Sequence, residues 1–453
     1  VDYFYKGKVA KQIVDLINDR GGCFDVSDME SYEPKFREPV KTTYRGYEVA
    51  AFAPPSGGCA LVEMLNILEN YDVRSMGHNT AASIHALTES MKLGFADRSV
   101  ALGDPDFVNV DVERLTSKKF AHERFTLAGE KAGEFASADG IEAKQYPGNT
   151  SHFVVMDKDG NAFSQTQTIR DWFGCGIVVD GLGFVLNNAM SDFSAAVGAM
   201  TSQGLAYGSA NAIQGGKTPL SSMSPSMVFK DGKPFLAIGA AGGPRIITGT
   251  LQGIVNAIDF DMTPEQLVNA PYINCLTRAQ GLEVEYGISG DTRKILEEMG
   301  HKIVPVPVDQ AMSTMLNSVM CIDGEFYASP LEISRLLQEM ELYDEKTSQE
   351  VLDEVHEKFD SAEHLEDEVL KPVFMSVIDG LLEATSGGRA ARKKGLTASR
   401  VVEECTSFSY DDLEDNHTNV NGYTEYKNIN HDEIEYQVQL EKWKKDGKNG
   451  SQQ

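Results

Sequence analysis

Three Asp-Gly pairs, each set between two apolar runs, constrain the fold of this chain more than any other feature of its sequence. They are Asp159-Gly160, Asp231-Gly232 and Asp323-Gly324. Asp-Gly between apolar runs is the usual signal of a tight turn that joins two antiparallel strands. The sequence therefore predicts three β-hairpins in the middle part of the chain.

Helical patterns surround these hairpins. Amphipathic spacing of apolar residues predicts helices over 6–20, 60–71 and 79–98, and the first is stopped by Gly21-Gly22. Strands in the middle of a chain with helices on either side favour a layered α/β domain.

Composition excludes several classes of protein. The 453 residues are 41% apolar, which is enough for one large or two medium globular domains, and the formal net charge of −27 argues against binding to phosphate backbones or anionic membranes. No apolar run approaches the roughly 18 to 20 residues of a membrane helix, and no signal peptide is evident. Because the chain begins at Val1 inside an amphipathic pattern, we expect it to be a piece of a longer precursor.

The cysteines suggest neither a metal site nor a disulfide framework. They are far apart, form no C-x-x-C pair and are expected to be free thiols: Cys23, Cys59, Cys175, Cys275, Cys321 and Cys405.

The amino-acid composition of the chain changes near residue 329. From 331 to 453 there are 28 Asp and Glu against 14 Lys and Arg, and no catalytic pattern. The sequence predicts amphipathic helices over 331–343, 347–358 and 362–384, followed by a loosely ordered end. We therefore expect 330–453 to be an acidic, helical to disordered extension.

The stretch 146–168 contains a candidate nucleophile. The turn Pro147-Gly148-Asn149 precedes a strand that begins with Thr150, and Thr168 lies on the returning strand. A threonine hydroxyl needs a base, and an α-amine with a pKa of roughly 7.7 to 8 is a suitable one. Thr150 acquires that amine only if its hydroxyl attacks the Asn149 carbonyl and the chain is cleaved there. The alternatives are an ordinary loop-to-strand junction or a glycosylation sequon at Asn149.

Two further stretches add candidate binding groups. Ser221-Ser222 lies between prolines in "TPLSSMSP", and Gly242-Gly243 lies between a predicted strand and a predicted helix. Backbone N–H groups at such a turn can stabilise a developing oxyanion.

The order of these stretches, with "TQTIRDWFGCGIVV", "GFVLNNAMSDFS", "TYRGYEVAAFAPPSGG" and "FADRSVALGDPDFV", resembles the gamma-glutamyltranspeptidase family of N-terminal-nucleophile hydrolases over about residues 4–328. The resemblance implies an α/β fold, a four-layer αββα sandwich. It also implies that 1–149 is the mainly helical C-terminal part of a large subunit and that 150–329 is the small subunit, both derived from one precursor.

The resemblance assigns roles residue by residue. Thr150 matches the nucleophile that is freed by cleavage after Asn149, and Thr168 matches the threonine that hydrogen-bonds it. Asp192 matches the carboxylate that holds the glutamyl α-amino group. Ser221-Ser222 matches the pair that binds the α-carboxylate, and Gly242-Gly243 matches the oxyanion hole.

The chain also departs from the family pattern. Arg170 stands where the family often has asparagine, and Ala189 stands where it has Gln or Glu. These changes in the substrate pocket are expected to weaken recognition of the α-amino group. An upstream arginine that clamps the substrate carboxylate has no counterpart in the sequence, and His152, which has no role in the scheme, is interpreted as a structural residue.

Three functional interpretations follow. The first is a gamma-glutamyl transferase or glutathione hydrolase that uses Thr150 to pass a γ-glutamyl group from a small donor such as glutathione to water, an amino acid or a peptide. The second is an enzyme of the same fold acting on poly-γ-glutamate, to which Arg170 could bind extra carboxylates. The third is a catalytically inactive binding protein. The chemistry needs no metal or organic cofactor, and the resemblance leaves the compartment open.

Overall fold

The three Asp-Gly pairs close hairpins, as predicted. In two of them both residues have positive φ, with Asp231 at 50° and Gly232 at 73°, and Asp323 at 52° and Gly324 at 87°. Such turns match the twist of the flanking strands. The third hairpin is closed by a wider loop in which only Gly160 needs a positive φ, of 84°.

The computed structural model describes residues 1–135, 148–171, 173–194, 208–306 and 315–330. The acidic extension predicted beyond residue 330 lies outside them. Within the described residues no helix is long and apolar enough to cross a membrane.

The helices of the described chain begin and end as follows: α1 (Asp2–Tyr5), α2 (Lys8–Asp19), α3 (Val26–Glu30), α4 (Gly58–Leu68), α5 (Val73–Met76), α6 (Ala81–Ala101), α7 (Val112–Leu115), α8 (Lys118–Phe125), α9 (Arg245–Asp259), α10 (Pro264–Asn269) and α11 (Gly290–Glu298). The helices predicted over 6–20, 60–71 and 79–98 correspond to α2, α4 and α6.

The strands are β1 (Val40–Tyr44), β2 (Tyr47–Ala51), β3 (Gly148–Met156), β4 (Ala162–Asp171), β5 (Ser226–Lys230), β6 (Lys233–Ala241), β7 (Ile273–Asn274), β8 (Leu282–Val284), β9 (Ile303–Pro305), β10 (Met315–Ile322) and β11 (Glu325–Pro330). They form a six-stranded antiparallel sheet in the order β1-β2-β5-β6-β10-β11, the hairpin β3-β4, and a small sheet β7-β8-β9.

Strand β6 is one of the two central strands of the six-stranded sheet, and its two faces contact different layers. Successive side chains of a strand point to opposite faces. Ile238 faces α9, where a Cβ on Gly253 would lie 2.5 Å from its Cδ1, and Gly239 faces the hairpin, where its own Cβ would lie 2.3 Å from the ring of His152. Helices α4 and α9 therefore cover one face of the sheet and β3-β4 covers the other, which is the layered α/β arrangement that the sequence predicts.

The main hydrophobic core lies between the sheet and the helices. Every residue of α4 is buried, and α4 packs against α6, α9 and β1. On the opposite layer, Asn317 of β10 donates its side-chain N–H to the backbone oxygen of His152 at 2.6 Å and so ties β3 to the sheet.

Candidate active site

The two threonines face each other across the hairpin. Thr150 pairs with Thr168 in the β3-β4 register, and the hydroxyl of Thr150 donates to Oγ1 of Thr168 at 3.1 Å. The Thr150 side chain is buried on the same face of β3 as His152, which packs on the sheet. The hairpin therefore brings the predicted nucleophile and its predicted partner together.

An irregularity in the ladder positions this pair. The register shifts between Asn149, which pairs with Arg170, and Thr150, which pairs with Thr168, so Ile169 is the extra residue. Arg170 takes a φ of 80°, and its backbone N–H donates to Oγ1 of Thr168 at 2.8 Å. A bulge of this kind re-aims side chains at the end of a ladder. In this chain the bulge lies opposite the predicted cleavage bond between Asn149 and Thr150.

His152 has the contacts of a packed core residue. Its Nδ1 lies 2.8 Å from the hydroxyl of Thr166, and its ring is held against Gly239. Burial lowers the pKa of His152 to about 4, so the ring is neutral near pH 7. These contacts are those expected of the structural role that the sequence analysis gives it.

Arg170 forms ion pairs inside the predicted substrate pocket. Its buried guanidinium donates from Nε to Oδ1 of Asp192 at 2.9 Å and from Nη1 to Oδ2 of Asp171 at 2.6 Å. Asp171 is held in turn by Asn188, whose Nδ2 donates to the same oxygen at 2.7 Å. The two predicted substrate-binding residues are thus adjacent, and they bind each other.

Asp192 ends a short 3₁₀ turn, Ala189–Asp192. Asn211 donates to the Asp192 carbonyl at 2.7 Å and accepts from the N–H of Leu220 at 2.9 Å, so one amide fixes Asp192 beside the predicted serine pair. Burial raises the pKa of Asp192, and the positive charges of Arg170 and Arg98 oppose that rise.

A buried arginine holds the serine pair. Arg98, in the last turn of α6, donates from Nη2 to the carbonyl of Ser221 at 3.1 Å and to Oγ of Ser222 at 3.3 Å. The hydroxyl of Ser221 accepts from the N–H of Met223 at 3.1 Å. Sequence reasoning missed Arg98 and Asn211. The available signal for Arg98 was its position, because this cationic residue continues the apolar face of α6.

The glycine pair follows β6 directly and precedes α9. Gly242 has a φ of 118° and Gly243 a φ of 60°, conformations that L side chains rarely adopt. The strand that contacts His152 through Gly239 therefore reaches this turn three residues later, at the N-terminal end of a long helix. Its backbone can present N–H groups there.

One buried cluster has the residue types of a metal site. The nitrogens of His85 and His301 and a carboxylate oxygen of Glu89 lie within 4.8 Å of one another. The histidine nitrogens are 2.8 Å apart, at hydrogen-bonding distance, and the ammonium of Lys92 lies 2.7 Å from Glu89. Since Lys92 already neutralises the carboxylate, the cluster fits a hydrogen-bonded core network better than a metal site.

Comparison with known proteins decides the family. The gamma-glutamyltranspeptidase family model matches residues 1–330. The chain belongs to the gamma-glutamyltranspeptidase family. It is 41% identical over 334 residues to the glutathione hydrolase proenzyme of Escherichia coli strain K12, a match that covers 72% of the chain and 57% of that relative. It is 37% identical over 307 residues to the acylase ACY 1 proenzyme of Pseudomonas sp. strain SE83, covering 68% and 52%.

A solved structure agrees with this assignment. The cephalosporin acylase from Bacillus halodurans superposes with a TM-score of 0.62 at 27% identity, over 71% of this chain and 56% of that one. The predicted family and α/β fold class are thereby confirmed. The chain spans about half the length of the gamma-glutamyltranspeptidase relatives that it matches.

Proposed function

We propose that this chain carries the nucleophile of a self-cleaving acyltransferase and hydrolase, which takes γ-glutamyl-type acyl groups from donors such as glutathione. The observation that carries the proposal is the buried hydroxyl pair of Thr150 and Thr168 at the irregular end of the hairpin. Membership of the gamma-glutamyltranspeptidase family supports it, as do the curated relatives described as glutathione hydrolase proenzymes.

Self-cleavage would begin at Thr150. Its Oγ1 attacks the carbonyl carbon of Asn149, the C–N bond between the two residues breaks, and the hydroxyl proton passes to the departing nitrogen. Thr168, which accepts a hydrogen bond from Thr150, orients that hydroxyl for the attack. Water then hydrolyses the ester between Asn149 and Oγ1, which leaves Thr150 with a free α-amine and a free hydroxyl.

Acyl transfer would repeat this chemistry on a donor amide. The α-amine of Thr150 takes the hydroxyl proton while Oγ1 attacks, and the leaving amine carries a proton away. The N–H groups of Gly242-Gly243 stabilise the oxyanion at the start of α9. Ser221-Ser222 binds the α-carboxylate of the γ-glutamyl group. Water, or the amine of an amino acid or peptide, then attacks the ester and restores the hydroxyl.

Intact mass measured under denaturing conditions tests the proposal. Wild-type protein should give fragments 1–149 and 150–453, whereas Thr150→Ala should remain a single chain. Ser151→Ala is the matched control, because Ser151 is the adjacent hydroxyl and its side chain is exposed; it should be cleaved like the wild type. A wild-type chain that stays intact would contradict the proposal and favour an inactive binding protein.

A further inference from the structure

Both hydroxyls of the serine pair accept a hydrogen bond from a group that can only donate. Oγ of Ser222 accepts from Nη2 of Arg98 at 3.3 Å, and Oγ of Ser221 accepts from the backbone N–H of Met223 at 3.1 Å. Neither a guanidinium nor a backbone N–H can accept a proton from a hydroxyl. The proton of each serine hydroxyl therefore points away from these partners and is left to donate to another acceptor.

Arg98 lies behind the pair and is buried, at 1% exposed. The nitrogen that donates to Ser222 also donates to the carbonyl of Ser221 at 3.1 Å. A guanidinium keeps its positive charge throughout the working pH range of proteins. Burial raises the pKa of Asp192, and the charge of Arg98 is among those that oppose the rise, so its field reaches the predicted pocket. Arg98 thus sets both the direction of one hydroxyl and a positive potential at the pair.

Other residues hold the backbone of this loop. The N–H of Ser221 donates to the carbonyl of Pro55 at 2.8 Å, and the N–H of Thr218 donates to Oδ2 of the buried Asp104 at 2.9 Å. Because these bonds do not involve Arg98, the course of the loop should survive its substitution. What depends on Arg98 is the direction of the neighbouring hydroxyl and the positive charge.

We infer that Arg98 is a positioning residue for the acyl donor, which holds Ser222 as a hydrogen-bond donor so that the pair binds a carboxylate at the α position in preference to a neutral group. The inference rests on the proposed function, because it concerns the γ-glutamyl site. A carboxylate can accept from both hydroxyls. An α-amide has one acceptor oxygen, places N–H donors against the other hydroxyl and brings no negative charge near Arg98.

Calorimetric titration of the full chain with two probes that differ only at the α position measures this preference. The probes are L-glutamate, which the proposed hydrolysis would release, and its α-amide. Wild-type protein should bind L-glutamate at least about tenfold more tightly, because the α-amide loses a hydrogen bond to a charged group. A general loss of structure would weaken the binding of both probes, so the ratio of the two Kd values reports on the α position.

Substitution of Arg98 shows whether it causes the preference. In Arg98→Met, checked for folding by thermal unfolding, the ratio of Kd values should fall about tenfold, towards equal binding. Arg98→Lys keeps the charge and offers one nitrogen to the same two acceptors, so it should retain most of the preference. Arg74→Met is the matched control, because Arg74 is an exposed arginine paired with Asp261 at 2.8 Å, and its ratio should equal that of the wild type.

Ser222→Ala tests the same step without removing a buried charge, and it decides the matter even if Arg98→Met does not fold. It removes the hydroxyl that Arg98 directs, so its ratio of Kd values should also fall about tenfold.

Four results would overturn the inference. They are equal or tighter binding of the α-amide by the wild type, no binding of either probe by the wild type, a preference that survives in folded Arg98→Met or in Ser222→Ala, and a loss in Arg98→Lys equal to that in Arg98→Met. Failure of the proposed function is a separate observation, because it appears as an uncleaved wild-type chain in the mass measurement, whereas the ratio is measured on binding alone.

Discussion

The hydroxyl of Thr168 is the polar group on which the chemistry of Thr150 depends most directly. It accepts from the Thr150 hydroxyl at 3.1 Å and from the N–H of Arg170 at 2.8 Å. The second bond needs the positive φ of Arg170, which accompanies the extra residue in the ladder. One irregular strand end therefore orients the hydroxyl pair and also directs the Arg170 side chain towards Asp192.

Replacing Thr168 by valine tests this dependence with little change in shape. Thr168→Val removes the acceptor that orients the Thr150 hydroxyl, so self-cleavage should slow by about a hundredfold, as misplacement of a reacting group typically gives. The rate is measured as the disappearance of intact chain by mass spectrometry. Thr168→Ser keeps the hydroxyl and should cleave within about tenfold of the wild type. Equal rates for valine and serine would show that the Thr168 hydroxyl has no part in cleavage.

Sequence alone could predict part of this site. Thr150 and Thr168 lie on the two strands of one predicted hairpin, and the family resemblance, not the local pattern, supplied the expectation of a hydrogen bond between them. Arg98 was missed because its partners Ser221 and Ser222 lie 123 and 124 residues further along the chain. Asn211 was missed because only the folded loop before Ser221 places its amide between Asp192 and Leu220. The Arg170–Asp192 contact was missed for a similar reason, although both residues had been singled out.

At the scale of elements, the site depends on how closely β3-β4 docks on the six-stranded sheet. The contact is made by a large ring against a residue without a side chain, since His152 lies where a Cβ of Gly239 would be. The three Asp-Gly hairpins and the longer helices could be predicted from turn chemistry and periodicity. The β1-β2 hairpin was not predicted, because its turn at Arg45-Gly46 lacks an Asp-Gly or Asn-Gly signal, and strands β7 to β9 are too short to show alternation.

His152, on the docked hairpin, should make the free energy of unfolding depend on pH. Burial lowers the pKa of His152 in the folded chain to about 4, whereas the ordinary pKa of a histidine is 6.5. Below pH 6.5 the unfolded chain takes up a proton that the folded chain does not, so this residue's contribution to stability falls as the pH falls from 6.5 towards 4. Between pH 7 and pH 5 the loss should be about 2 kcal/mol.

Denaturant unfolding at the two pH values measures this loss. His152→Gln does not titrate at this position, so the free energy of unfolding of the variant should fall by about 2 kcal/mol less than that of the wild type over the same interval. All other histidines are common to the two proteins and cancel in the comparison. Identical pH dependence in both proteins would contradict a buried neutral His152.

At the scale of the whole molecule, the predicted cleavage bond does not separate two folding units. The described residues belong to one compact unit. Strands β1 and β2 precede the bond and the other four strands of the large sheet follow it, with Glu48 paired to Phe229 and Ala51 to Ser226 across the junction. The core between α4 and α9 is shared in the same way.

The two fragments should therefore remain associated after cleavage. Separating them would break the β2-β5 ladder and expose the apolar faces of α4 and α9, at a cost of roughly 25 cal/mol for each Å² of apolar surface. Cleaved protein should elute from a size-exclusion column at the position of the intact Thr150→Ala chain, and denaturant should resolve it into fragments 1–149 and 150–453. Elution as two smaller species without denaturant would mean that cleavage dismantles the sheet on which the Thr150 hairpin is docked.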